Sequence, residues 1–400
     1  MTFAQFSGHL LLAFLLGVSF AAFSNVLMVT GICCCLALYI FLFRIESTHL
    51  IGLLLCCCLG IWRFESASLG VKNLVPFKST SLSTSACVQN TTDIPVIVAL
   101  RTSLSDRIQK RLPGDEGALL AGTLYGERGL SSEMKLAFRN AGMTHLVAVS
   151  GSNLSIIAAA LFSLLGGLAL HKRSMVGLLF CVIVLFILFV GLQAPVVRAG
   201  IMAILAAAAP LTGRFANGPR LLLVSCALFV FFRPCALFFD PAFALSFFAT
   251  WGLMSYGAAL NKKLEPYFKI TLLRSLFAES TAASLMTMPY AAWAFGQVSL
   301  LGLISNLFAV PIVPWAMSLG SLCLLLPEWT HSCTAAKGSL SAMLWIAKLA
   351  DTLPYGVWQK VLFRTPSLLI VMGILIFYAQ KLSRRHVDNE TDDTFMSPLA

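Results

Sequence analysis

The strongest constraint on this chain is a succession of apolar runs, most of them long enough to cross a bilayer, joined by short polar turns. A hydrocarbon core needs ~20 residues of helix to cross it. Such runs occupy residues 6–23, 26–43, 141–170, 175–192, 195–211, 221–238, 243–260, 272–295 and 299–326, with shorter ones at 49–62 and 366–378. With 58% hydrophobic and 11% charged residues, the chain reads as an all-α polytopic membrane protein with about eleven transmembrane helices and a short extracytoplasmic domain. The first run has no Lys or Arg before it and is followed at once by another, so it reads as a retained helix; a cleaved signal peptide is the alternative.

The placement of the +11 net charge tests that alternation. With a cytoplasmic amino terminus, and with run 299–326 read as a hairpin that Pro311 and Pro314 break and return to the outer face, Arg44, Lys172, Arg173, Arg214, Arg220, Lys262, Lys263, Lys269, Arg274, Lys381, Arg384 and Arg385 all fall on one side. Basic loops stay in the cytoplasm, so the chain reads as a plasma (inner) membrane protein with a cytoplasmic carboxyl terminus. The twelve cysteines include two consecutive triplets in apolar runs, 33–35 and 56–58, which splay around a helix and cannot converge on one ion. Cys87 and Cys333 both fall on the outer side, where a pairing between them is open. The six histidines show no metal-ligand spacing, and no phosphate-binding loop of the G-x-x-x-x-G-K-[ST] type occurs. The expectation is therefore no metal, no cofactor and no nucleotide hydrolysis within the chain.

Four regions follow. Residues 1–63 carry the first helices, and residues 64–116 form an extracytoplasmic segment rich in Ser and Thr, with a strand expected at 94–99. From Leu100 the period lengthens: Leu100, Leu104, Ile108 and Leu112 recur every four residues, an amphipathic helix suited to a membrane surface. Pro113 and Gly114 end it. A second helix is expected over 115–125, then a turn over 126–129, then a short helix capped by Ser131 or Ser132 and stopped by Gly142. Residues 117–380 form the transmembrane core, including an outer membrane-lying helix over 339–349, and residues 381–400 an acidic, disordered tail.

Within that core, a few polar groups stand where a spanning helix should be apolar. The run 141–170 carries Ser150, Gly151, Ser152, Asn153 and Ser155. Such groups cost free energy in hydrocarbon unless they face other helices or an aqueous path, so both a packing face and a pathway lining are open. Arg198 falls in the first turns of a helix that Pro195 can start, either snorkelling to outer headgroups or facing a polyanion. Asp240 before Pro241 can cap the next helix and pair with Arg233. Asn306 lies before Pro311 and Pro314, which break run 299–326; broken helices at membrane depth line cavities or lie within protein, and Asn153 with Gly151 and Asn306 with its prolines are the two candidates. His145, Ser150 and Asp240 raise an intramembrane serine hydrolase, but no G-x-S-x-G elbow surrounds Ser150.

Three stretches, taken together and in order, resemble a known family. PGDEGALLAGTLYGERGLSSEMKLAFRNAGMTHLVAVSGSNLS (113–155), APVVRAGIMA (194–203) and DPAFALSF (240–247) are similar to motifs of the competence domain of ComEC-type DNA uptake channels. That resemblance implies a channel, not an enzyme, passing one strand of DNA through the inner membrane during natural transformation. It places Gly142, His145, Ser150, Gly151, Asn153, Arg198, Asp240 and Ser246 at motif positions; Asn306 is added from the broken helix alone.

The chain departs from the family pattern in three places. Only about 35 residues separate Trp62 from the amphipathic helix, too few for the family's five-stranded oligonucleotide-binding barrel. The chain ends soon after Tyr378, leaving no room for the metallo-β-lactamase-like domain, so a truncated member is expected. The motif reads SGSN where many relatives have Leu and His in the last two places. Acidic residues nearly balance basic ones in the outer stretch, which fits a conduit that receives DNA better than one that captures it. The partners implied are single-stranded DNA, an outer DNA receptor, a cytoplasmic ATP-driven motor, a separate nuclease and membrane lipid, in a monomer or an oligomer. The alternative is a transporter or structural membrane protein of the same fold that handles another solute.

Overall fold

Side chains that alternate with the helical period dominate the computed structural model, which describes residues 12–15, 56, 59–60, 95–127, 129–151, 153–154, 171–213, 215–299, 301–326, 332–353, 357–359, 371 and 374. The expected runs at 26–43 and 49–62, the segment 64–94 with Cys87, and the tail fall wholly or mostly outside the described residues. The chain divides into two units, residues 1–91 with 200–244, and residues 92–199 with 245–400.

In the first unit, Asn217 caps helix Gly218–Phe232 by accepting from the Arg220 backbone N–H at 3.2 Å. Phe229 stacks on Phe243 with ring centroids 5.3 Å apart, and Phe14 meets Phe231 at 6.1 Å.

The second unit holds the larger core. Helix α1 (Pro95–Arg111) includes the stretch expected to be a strand. Pro95 suits a first helical turn, where its missing N–H is harmless, and Val96 and Val98 are carried into the helix that Ile108 anchors. The stripe expected to lie on a membrane is turned inward in its second half: Ile108 and Leu112 are buried against neighbouring helices, while Leu100 is exposed. Helix α2 (Asp115–Tyr125) ends at Gly126, whose left-handed conformation continues no helix. Helix α3 (Ser132–Asn140) starts at Ser131, whose hydroxyl accepts from the Met134 N–H at 3.3 Å and donates to Asp115 Oδ2 at 3.0 Å. It stops as the sequence predicts. Gly142 adopts φ 67°, the Met143 N–H reaches back to Phe138 O at 2.8 Å, and the Gly142 N–H reaches Arg139 O at 3.1 Å.

Run 141–170 is not one continuous helix. Helix α4 (Thr144–Val147) is a single turn, Ala148 is extended, and helix resumes at Gly151. The residues after Leu154, up to the run's end, lie outside the described set. Helices α5 (Lys172–Val190) and α6 (Ala194–Ala208) follow. Arg101 of α1 closes the end of α5, donating from Nε to Phe189 O at 2.5 Å with its guanidinium 5.9 Å from the Phe189 ring.

Helix α7 is the Gly218–Phe232 segment of the first unit, α8 is Ala236–Phe239, and α9 is Pro241–Leu264. Helix α10 (Thr271–Phe295) contains Pro289. Helices α11 (Gly302–Ala309) and α12 (Ile312–Leu325) meet at a 43° bend at Val310 and Pro311, so the expected break is present. Helix α13 (Ser332–Thr352) is longer than the expected 339–349 and packs along α12. Ala336, Leu340, Met343, Ala347 and Ala350 form its buried face, while Trp345 and Leu349 are exposed. Cys333 is bonded to Cys323, not to Cys87, which joins the start of α13 to the end of α12. The sequence hid this pairing because Cys323 sits in an apolar run and reads as a small hydrophobe.

The described residues also hold a two-stranded ribbon, β1 (Gln297–Ser299) antiparallel to β2 (Val357–Gln359). The chain is thus a helical membrane protein with one short ribbon among the described residues. Three described helices are long and apolar enough to cross a membrane, Arg173–Val190, Ala194–Leu211 and Pro241–Leu264, and the bent pair α11–α12 makes a fourth if it is one broken span. Helix α7 is apolar but has 15 residues, and α10 falls short of the same measure despite its 25.

Candidate functional site

The break after α4 organises a polar cluster. An apolar chain has no reason to leave a helix, but Ser150 and Asn153 supply side-chain partners there, and Gly151 lets a neighbour approach closely. The Ser150 hydroxyl donates to Asn153 Oδ1 at 2.9 Å, bridging the start of the resumed helix. Asn153 is 1% exposed, and its Nδ2 donates to the Thr123 backbone carbonyl at 2.8 Å. Both ends of the Asn153 amide are therefore satisfied, as a buried amide requires. Thr123, itself fully buried, turns its own hydroxyl to Leu120 O at 3.0 Å.

Gly151 faces Arg198. A Cβ at Gly151 would come 2.8 Å from Arg198 Nη2 and 3.2 Å from Ala199 Cβ, so no larger residue fits without displacing the guanidinium. Arg198 Nε donates to Ser246 Oγ at 2.8 Å, a neutral contact that orients the guanidinium without cancelling its charge. Three separate stretches of sequence thus meet here. Gln193 starts α6 by accepting the Val196 and Val197 N–H groups at 3.1 and 3.0 Å on its carbonyl. Its side-chain amide lies against Gly126, where a Cβ would come 2.5 Å from Nε2.

The other expected site residues have local surroundings of their own. Asp240 caps α9, its Oδ1 accepting from the Ala242 and Phe243 N–H groups at 2.9 and 3.3 Å. It also interacts electrostatically with Arg233. Gly142 packs on Gly302, where a Cβ would come 2.8 Å from the Gly302 Cα, and Ser299 Oγ donates beside it to Asn140 O at 2.6 Å. His145 is exposed on α4. Asn306 is 8% exposed, with no partner for its Oδ1 among the described residues.

Sequence reasoning missed Thr123, Gly126 and Gln193. Thr123 was invisible because it acts on Asn153 through a backbone carbonyl, which any residue has, and Gln193 because its side chain meets Gly126, far away in the sequence. The Gly126 turn was visible, but not what packs against it. Chemically, the cluster offers oriented donors and one cation. The Asn153 amide oxygen that the Ser150 hydroxyl meets cannot take up its proton at neutral pH. Among the described residues no His, Cys, Asp or Glu group of three clusters as metal ligands would.

The profile of the family described as "Competence protein" matches residues 123–385, beginning at the Thr123 that anchors Asn153. The chain is 25% identical over 227 residues to "ComE operon protein 3" of Bacillus subtilis (strain 168), a match covering 56% of this chain and 28% of that relative. No solved structure matches the chain. A match over that range, with motif residues 151, 198 and 246 drawn together in space, leads to one conclusion: the chain belongs to the Competence protein family.

Proposed function

We propose that this protein is an inner-membrane channel that passes single-stranded DNA into the cytoplasm during natural transformation. One observation carries the reading: Gly151, Arg198 and Ser246, from three distant motifs, converge on an oriented guanidinium beside a broken helix. A guanidinium suits phosphate, and neutral hydroxyls around it let a strand pass without tight binding. Ser150, Asn153 and Thr123 act as the support that holds the helix start in place, while Arg198 meets the strand. Gly142, His145, Asp240 and Asn306 complete the proposed pathway and its scaffold. The chain acts as a conduit rather than an enzyme, so force and strand degradation come from partners: an outer DNA receptor, a cytoplasmic ATP-driven motor and a separate nuclease.

The proposed topology is multi-pass with a cytoplasmic carboxyl terminus. Basic loops 172–173 and 262–269 support it, and so does the Cys323–Cys333 disulfide, because disulfides persist on the oxidising side of a plasma membrane. Alternation then puts α1 to α4 on the outer side, and α13 joins them where the bent pair α11–α12 is a hairpin returning to the outer face.

The test is import of labelled DNA into a nuclease-protected cytoplasmic pool, in cells with and without the gene. Loss of the protected pool with surface-bound DNA retained supports the conduit. An unchanged pool overturns it and leaves a transporter of another solute as the reading.

A further inference from the structure

Helices α9 and α10 run antiparallel. Phe248 meets Tyr290 with ring centroids 5.7 Å apart, and at Gly252 a Cβ would come 2.9 Å from the Met286 side chain, so residues rising along α9 pair with residues falling along α10. At that level the backbones leave no space. Toward the basic loop 262–269 they part around an open cleft of about 230 Å³ lined by Leu253, Gly257, Ala258, Asn261, Ser275, Ala278 and Glu279, of which Leu253, Ala258 and Glu279 are exposed. That is far more than the ~10–15 Å³ one water needs. Gly257 and Ala258 make the room; three side chains make it polar.

Glu279 lies eight residues into α10, ~12 Å along the axis at 1.5 Å per residue. Glu279 is exposed at this opening, and among the described residues it makes no ion pair. The nearby cation is already engaged: Arg274 Nε donates to Asn261 Oδ1 at 3.0 Å and its Nη1 pairs with Glu265 at 3.0 Å. Lys262, Lys263 and Lys269 are exposed at the loop and do not line the cavity.

The acceptor set is specific. Ser275 donates its proton to Leu272 O at 2.9 Å, which leaves its lone pairs for the cavity. Asn261 Oδ1 keeps a second lone pair beyond the one Arg274 uses, and Glu279 offers two oxygens. Three oxygen acceptors and one negative charge match the three N–H donors of a primary ammonium. A quaternary ammonium has the charge without the donors. We propose that the cavity between α9 and α10 is a binding site for a primary ammonium group, with Glu279 as its counter-ion and Ser275 and Asn261 as neutral acceptors. Two sources supply that chemistry: an aminophospholipid headgroup, whose phosphate would meet the exposed Lys262 and Lys263 at the mouth, or a soluble amine.

The test is native mass spectrometry of the purified full chain titrated with phosphatidylethanolamine, phosphatidylcholine and phosphatidylglycerol of identical acyl chains, then with free ethanolamine. The expected result is about tenfold preference for phosphatidylethanolamine over phosphatidylcholine, lost in Glu279→Gln and kept in Glu265→Gln. If ethanolamine binds in a Glu279-dependent way while the lipids bind alike, the ammonium site stands and its ligand is soluble. Equal binding of all lipids with no Glu279-dependent ethanolamine adduct overturns the proposal, as does a preference that survives Glu279→Gln. Glu279→Asp keeps the charge and should retain part of the preference, which separates loss of the site from loss of fold. This readout is blind to DNA transport, so it fails or succeeds independently of the channel reading.

Discussion

The packed helices around Leu120 and the polar cluster around Asn153 touch the same helix, α2, yet they are held by opposite means. In the first, Ile108, Leu119, Leu120, Leu340 and Met343 are fully buried, and a Cβ on Gly320 would overlap the Leu120 side chain. Shape does the work there, and polar contacts sit at the rim, such as Ser341 Oγ donating to Glu116 Oε1 at 3.0 Å. In the second, hydrogen bonds do it: each polar atom of the Asn153 side chain has one named partner. A core of the first kind loses stability in proportion to what is removed. A cluster of the second kind has few substitutes for any member, because a lost partner leaves another group buried and unsatisfied.

The largest effect should come from the apolar region. Leu120→Ala removes a fully buried side chain and should cost ~2–5 kcal/mol, read as a lowered unfolding midpoint in detergent, with DNA import falling only as folded protein falls. Asn153→Ala should cost less, ~1–3 kcal/mol, yet stop import at matched membrane levels, because the Thr123 carbonyl and the Ser150 hydroxyl lose their partner. Equal loss of import and of folded protein in both variants would erase the distinction between the two regions. Gly142→Ala should cost ~1–2 kcal/mol for a left-handed backbone, plus strain against Gly302, measurable as the same midpoint shift. The smallest effect belongs to Lys348→Ala. Its 3.5 Å pair with Glu133 is solvent-exposed on both sides, so the midpoint should move by less than ~0.5 kcal/mol.

Much of the local structure was legible. The second helix ends at Tyr125 as read, Ser131 caps the third, Gly142 stops it, and the bend falls at Pro311, because each of these rests on a residue whose backbone preference acts alone. The start of α1 was not legible. IPVIVA has the composition of a strand, and only tertiary contacts, Ile108 in the core and Arg101 on the end of α5, make it helical. The break at Ala148 falls beside Gly151 and Asn153, one of the two stretches read as candidate broken helices, but nothing in the sequence marks Ala148 itself as the extended residue. The motif residues 150, 151, 153, 198 and 246 were all nameable from the sequence, but their roles were not. Asn153 finds its carbonyl 30 residues upstream, and Ser246 finds Arg198 48 residues away, distances no local pattern encodes.

The central claim is that Arg198 meets the DNA strand while its neighbours hold it in place. The most direct measurement compares nuclease-protected DNA import in cells carrying the wild-type chain, Arg198→Lys and Arg198→Gln at matched membrane levels. The account predicts that Arg198→Gln abolishes the protected pool while surface-bound DNA persists, and that Arg198→Lys, which keeps the charge but not the planar donor set, retains a fraction of it. Import at the wild-type level in Arg198→Gln would contradict the account and take this guanidinium off the path.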